Sequence, residues 1–455
     1  MDSTRRWAGP VLGAFVAGCG LVAVPAPIAA TAAGTAAGTV AGTVAATAVG
    51  PVSTAGTGAG RAGTAGTVYY VDSRAGDDAA AGTSETAPWR SLDQVNATEL
   101  RPGDTVRLKR GGSWPGTLTL SGKGTAAAPI TVEPYGKGAA PKISGRETAC
   151  VVISGSYVRV TGVHARDCLW AGFEVGGNRN ELDRVRADRN VTGVHIIGAH
   201  NVVRNSVLAG NNRMSVNDEG GDDDSGAFGV LLNGDDNLIT GNVITGSYAP
   251  SKDYGFDGAA VEVFNGDRNR VTHNVSKDNL TFVELGARKG KTATGNVFAH
   301  NVVTSSRERG SFLVTRGARH AVGPVKGTVA VHNSVHLPGR DTSGWVCHDG
   351  CAPGILKLRN NVIVVGGQVG FEDGKGADEG GSVYRGRSRK FTLGPRSVMA
   401  DPRFRGRDDL RLRPGSPAIG RGFRLGPDWY GGAALARDAA GTALPEAPTA
   451  GAYQH

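Results

Sequence analysis

The chain has 455 residues, with 71 glycines, only 6% aromatic residues and a formal charge of +9. So much glycine and so little aromatic mass argue against a helical core and for a turn-rich β protein. The basic residues are scattered among Asp rather than gathered into a run with aromatics. The charge therefore reads as solvated surface, and no nucleic-acid partner is expected.

Residues 1–32 carry Arg5 and Arg6, then an apolar run and small residues near Ala26. This is the pattern of an export signal, so the chain is expected to be secreted or loosely attached to a cell wall. Residues 33–67 are almost entirely Ala, Gly, Thr and Val, which cannot bury a core; they are expected to form a flexible linker. No later segment is apolar for the length a membrane span needs. Cys150, Cys168, Cys347 and Cys351 follow. An even number in an exported chain points to disulfides, and Cys347 with Cys351 could close a small loop; the pairing stays open.

The folded region is expected to be a single domain over 68–455, with the segment 401–455 as its C-terminal tail. It opens with a strand at Val68–Val71 and a short helix within Ser91–Leu100. From about residue 150 a repeat appears. Asn201-Val-Val-Arg-Asn205, Asn237-Leu-Ile-Thr-Gly-Asn242, Asn269-Arg-Val-Thr-His-Asn274 and Asn296-Val-Phe-Ala-His-Asn301 are successive copies, continued at Asn333 and Asn360-Asn361. A short strand follows each: Gly172-Phe-Glu-Val, Gly193-Val-His-Ile, Gly229-Val-Leu-Leu, Ala260-Val-Glu-Val, Phe282-Val-Glu-Leu, Phe312-Leu-Val-Thr and Trp345-Val-Cys-His. Short β-branched strands, turn Asn and a period of at least about 22 residues describe a coiled parallel sheet. Asn tolerates left-handed turns and can bond to the same Asn one coil on.

On these repeats the chain resembles the right-handed parallel β-helix superfamily, which includes pectate lyases and many secreted bacterial proteins active on polysaccharides. The resemblance covers about 68–455, and implies an all-β solenoid with a short N-terminal helix cap, a polysaccharide partner and a monomer.

Alternation along the strands then orders the candidate residues. One outward column reads Glu174, His195, Leu231, Glu262, Glu284, Val314 and Cys347. A second, two residues earlier, reads Gly172, Gly193, Gly229, Ala260, Phe282, Phe312 and Trp345, so Phe282, Phe312 and Trp345 are expected as a platform for sugar rings. A third holds Asn233, Phe264, Gly286 and Arg316. Insertions at 211–228 and 247–258 arise at one corner on adjacent coils and are expected to wall a cleft over Glu262 and Glu284. His195, Asn233, Tyr254 and Arg316 are further candidates for substrate contact.

Two carboxylates one coil apart suit glycoside hydrolysis, with one as acid/base and the other as nucleophile. At about 5 Å and an effective dielectric near 20 they repel by roughly 3 kcal/mol, which raises one pKa as a general acid requires. Glu284 is the expected acid/base and Glu262 or Asp257 the nucleophile, in either order; this chemistry needs no cofactor. The alternative is Ca²⁺-assisted β-elimination on a uronate, with Asp222, Asp223 and Asp224 as oxygen ligands and Lys252, Arg288 or Arg316 as base. Tyr254-Gly255-Phe256-Asp257 resembles the start of the Tyr-Gly-Phe-Asp-Pro-His motif of alginate C5-epimerases, without its Pro and His. A non-catalytic glycan-binding protein is the remaining alternative.

Overall fold

A computed structural model describes residues 66–145, 148–221, 223–432 and 437–455. The expected export signal, nearly all of the linker, and Asp222 lie outside the described residues.

Three long parallel sheets run the length of the described chain, two of twelve strands and one of eleven. Each full coil contributes one strand to each sheet, so residues that follow one another in a sheet are far apart in sequence, 21 positions for Glu174 beside His195. Alternate residues such as Val194, Val230, Val261, Val283 and Leu313 fill one continuous interior. The helix is short, Leu92–Ala97, and buries Leu92 and Val95 against the first coils.

The repeat Asn side chains form ladders inside the turns. Asn180, Asn201, Asn237 and Asn269 each donate their backbone N–H to the Oδ1 of the next, at 2.8–2.9 Å, ending at Asn296. A second ladder runs from Ser206 through Asn242, Asn274, Asn301 and Asn333 to Asn361. The rungs satisfy buried turn amides that no strand partner reaches. Asn205 and Asn360 stand just before their ladders, at φ +52° and +56°, where they supply the left-handed turn instead.

The four described cysteines are paired, Cys150 with Cys168 and Cys347 with Cys351. The tail folds back over the outside of the coils. Tyr430 packs on Val297, Ala299 and Val331, and Leu412, Ala418 and Ala450 pack on Val362 and Val383. No described helix is long and apolar enough to cross a membrane.

Candidate active site

The eleven-stranded sheet carries the candidate residues. Its ladder sets Glu174 beside His195, His195 beside Leu231, Leu231 beside Glu262, and Glu262 beside Glu284. The two glutamates therefore lie one coil apart on the same outer face, at the spacing of paired strands, about 4.8 Å.

Beyond Glu284 the expected columns need correction. Val314 lies opposite Val346, not Cys347, and Trp345 lies opposite Leu313. The position equivalent to Phe312 is Gly344, so the sequence alignment slipped by one residue there. A slip of one exchanges the faces of a strand. Trp345 is accordingly a core residue, fully buried against Phe391. Phe282 and Phe312 are also buried, stacked on each other with centroids 5.7 Å apart, and Phe282 meets Phe298 edge-on. Strict alternation breaks at this column: the ladder pairs Thr281 with Ser311 and then Val283 with Leu313, while Phe282 and Val283 both join the core. The expected sugar platform is interior packing.

The insertions form two small antiparallel hairpins, Met214–Val216 with Ser225–Gly226 and Ala249–Ser251 with Gly255–Asp257. They are tied to each other. Asp224 accepts from the Ser251 hydroxyl at 2.7 Å and from the Asp253 and Asp218 N–H groups at 3.0 Å. Asp253 in turn accepts from the N–H groups of Gly220, Asp223 and Asp224. Asp224 is thus buried and engaged as a clasp, which corrects its expected part as a metal ligand, while half-buried Asp223 sits beside it in the same clasp. Tyr254 occupies the turn of the second hairpin, its N–H donated to Ser251 Oγ at 3.0 Å.

Among the described residues the two glutamates are nearly closed off from solvent. Glu262 is 3% exposed and Glu284 8%. Asp257, half-buried at the end of the second hairpin, brings a third carboxyl close enough to interact with both. Burial, reinforced by the charge of Glu284, pushes Asp257 up to about 7. The same two causes hold Glu262 well above the usual carboxylate range, with Arg316 opposing them. One oxygen of Glu262 is buried without a hydrogen-bond partner among the described residues.

Arg316, expected to contact substrate, is instead wholly buried. Its guanidinium pairs with Glu284 and donates to the Leu285 carbonyl at 2.6 Å. Phe264 packs over Gly286, where a Cβ would come within 3.2 Å of Val322 and 3.3 Å of the Phe264 ring.

At the other end of this face, the sequence reasoning missed Trp170. Its indole N–H donates to His195 Nδ1 at 3.2 Å, and His195 Nε2 lies 2.7 Å from Asn233 Oδ1. Trp170 sits in a turn just before the strand Ala171–Val175, outside any column, so alternation could not find it. The signal available was a tryptophan in a segment poor in aromatics.

Past Arg316, the nitrogens of His320 and His348 and an oxygen of Asp349 come within 4.8 Å of one another. Burial, then the charge of Arg316, lowers both histidines, His320 to about 4. The Val322 N–H donates to His320 Nδ1 at 3.1 Å, so the neutral ring carries its proton on Nε2, the atom turned to Asp349. A metal-binding histidine normally has the opposite arrangement, donating through its second nitrogen. The donor set does not fit a metal.

No known protein-family profile matches the chain. A stretch of 75 residues, 16% of the chain, is 51% identical to a lacto-N-biosidase of Bifidobacterium longum, and it covers 5% of that protein's length. Among solved structures, the pectate lyase Pel9A superposes with a TM-score of 0.58 at 14% identity, over 86% of this chain and 97% of that one. A lacto-N-biosidase from Eubacterium ramulus gives a TM-score of 0.56 at 16% identity, over 73% of this chain and 68% of that one. Together with the three parallel sheets, these likenesses identify the chain as a right-handed parallel β-helix of the pectate-lyase-like architecture.

Proposed function

We propose that the chain is an exported enzyme that hydrolyses glycosidic bonds of a polysaccharide or oligosaccharide, with its reacting groups at Asp257 and Glu284. The observation that carries this is the convergence of Asp257, Glu262 and Glu284 on one outer face, with Arg316 holding one of them. The local identity to a lacto-N-biosidase supports the reaction class. The paired cysteines support export, since disulfides persist in oxidising compartments.

The environments divide the roles. Asp257, raised to about 7 at the rim, keeps a substantial protonated fraction at neutral pH and is suited to protonating the leaving oxygen. Glu284, paired with Arg316, is the carboxylate suited to face the developing positive charge of the sugar ring or to attack it. Glu262, more deeply enclosed, keeps its proton and spares Glu284 a second adjacent charge. Of the two orders the sequence leaves open, this is the one with Glu284 as nucleophile. Elimination is the weaker reading. Arg316, the most central candidate base, is bound to Glu284, and a uronate would meet three carboxyls.

The test is incubation with neutral and acidic glycans, wild type beside Asp257→Asn and Glu284→Gln. New reducing ends from wild type, lost in both variants, are expected. Unsaturated products absorbing in the ultraviolet, or full activity in either variant, would overturn the assignment.

A further inference from the structure

Glu174 lies three coils from Glu262 along the sheet face, and Trp170, His195 and Asn233 form a connected group reaching from it to the coil beside Glu262. Three strand spacings are roughly 14 Å. The hydrogen bonds fix each member. Because the Trp170 N–H points into His195 Nδ1, the ring proton lies on Nε2 and goes to Asn233 Oδ1. Asn233 must then turn its amide nitrogen away, and it donates to the Phe264 carbonyl at 2.7 Å. In this tautomer the nearer Glu174 oxygen, 3.4 Å from Nδ1, receives no proton from His195. Its side chain is 28% exposed, so it faces outward as an acceptor.

Asn233 also lines an open groove of about 460 Å³ that continues around the corner of the coils. The floor is glycine, Gly176, Gly198 and Gly234; at Gly198 and Gly234 a Cβ would strike the preceding coil's backbone, whereas Gly176 leaves that space open. On the walls, Asn178 and Asn265 each accept a loop N–H on Oδ1, from Ala199 and Arg288. That orients their amide nitrogens as donors. Asp235 and Asp267 line the groove beside Lys291, and Arg268 pairs with both acids, so the charges are close to balanced and suit an uncharged sugar.

We infer that Glu174 and the adjoining corner groove are a second subsite for neutral sugar units, with Glu174 and Asn178 at the end far from the carboxyls. A glycan that reaches both the Glu174 end and the carboxyls must then extend over several units. The inference rests on the proposed glycosidase reading only for what the bound glycan undergoes; the binding itself is separate.

The experiment measures binding of neutral gluco-, galacto- and N-acetylhexosamine-containing oligosaccharides of increasing length to the full chain, with oligogalacturonides as the acidic control. Asp257→Asn serves as the background, so that turnover does not interfere. Glu174→Ala and Asn178→Ala, both at solvent-reached positions, are compared with it. Affinity for long neutral oligosaccharides should fall about tenfold in Glu174→Ala, the loss of one hydrogen bond to a charged acceptor, and less in Asn178→Ala. Short ones should be unaffected. Equal loss at all lengths, no loss at any length, tighter binding of uronates, or no binding of any neutral oligosaccharide would overturn the subsite. Length-dependent binding without cleavage by wild type would instead leave the subsite standing and remove the hydrolase reading.

Discussion

The Arg316–Glu284 pair offers the sharpest test of how this face is built. Their side chains are 0% and 10% exposed, so the pair is interior in energetic terms although it lies on the outside of the coil. Removing one partner of a buried pair costs about 3–5 kcal/mol, against about 0–1 kcal/mol for a solvated one. Arg316→Met keeps much of the volume but leaves Glu284 beside Glu262 and Asp257 with no cation, and it also deletes the donor to the Leu285 carbonyl. A loss of about 3–5 kcal/mol is expected. A solenoid of this length need not unfold in one step, so the assay is local: native-state hydrogen exchange of the strand amides at Val283 and Leu285, with urea midpoints beside it. Arg316→Met with Glu284→Gln removes the stranded charge and should recover about half or more of the loss. A single variant costing under about 1 kcal/mol, or a double variant no better than the single, would refute the view of a desolvated, mutually dependent pair.

Three further outcomes are expected. Asp257 has its folded pKa raised to about 7, so the fold binds its proton more tightly than the unfolded chain does. Its effect is that stability declines as pH rises from about 4 to 7, and the slope of melting temperature against pH should flatten in Asp257→Asn. Phe282→Ala should destabilise by about 3–5 kcal/mol in urea titration, as an interior aromatic does, and leave glycan affinity unchanged in calorimetry. His273, His300 and His332 stack at 5.0–5.2 Å beneath the tail, and burial depresses His300 strongly and His332 to about 4. The unfolded chain therefore takes up these protons first, and stability falls as pH drops from about 6.5 towards 4. Limited proteolysis should release the tail in that window, and His332→Gln should blunt the response.

The architecture was legible because its causes are local and repeat. Turn Asn, β-branched triplets and glycine recur coil after coil, and each copy repeats the same instruction for a turn and a short strand. The register of Glu262 and Glu284 followed from the same regularity, since Ala260-Val-Glu-Val and Phe282-Val-Glu-Leu differ by one coil and have no insertion between them. Legibility failed where alternation stopped governing the backbone. Phe282 and Phe312 face inward at a corner that a period of two cannot describe, and Gly344 shifted Trp345 by one position.

What the chain determined by itself was therefore the solenoid and the juxtaposition of two acids on neighbouring coils, because both depend on spacing along the polymer. Which groups are shut from water, that Arg316 is tied to Glu284 rather than free for a ligand, and that Trp170 joins this face were decided only by tertiary structure. Burial and pairing arise between segments that spacing does not relate: two hairpins clasped by Asp224 and a turn residue reaching across to His195.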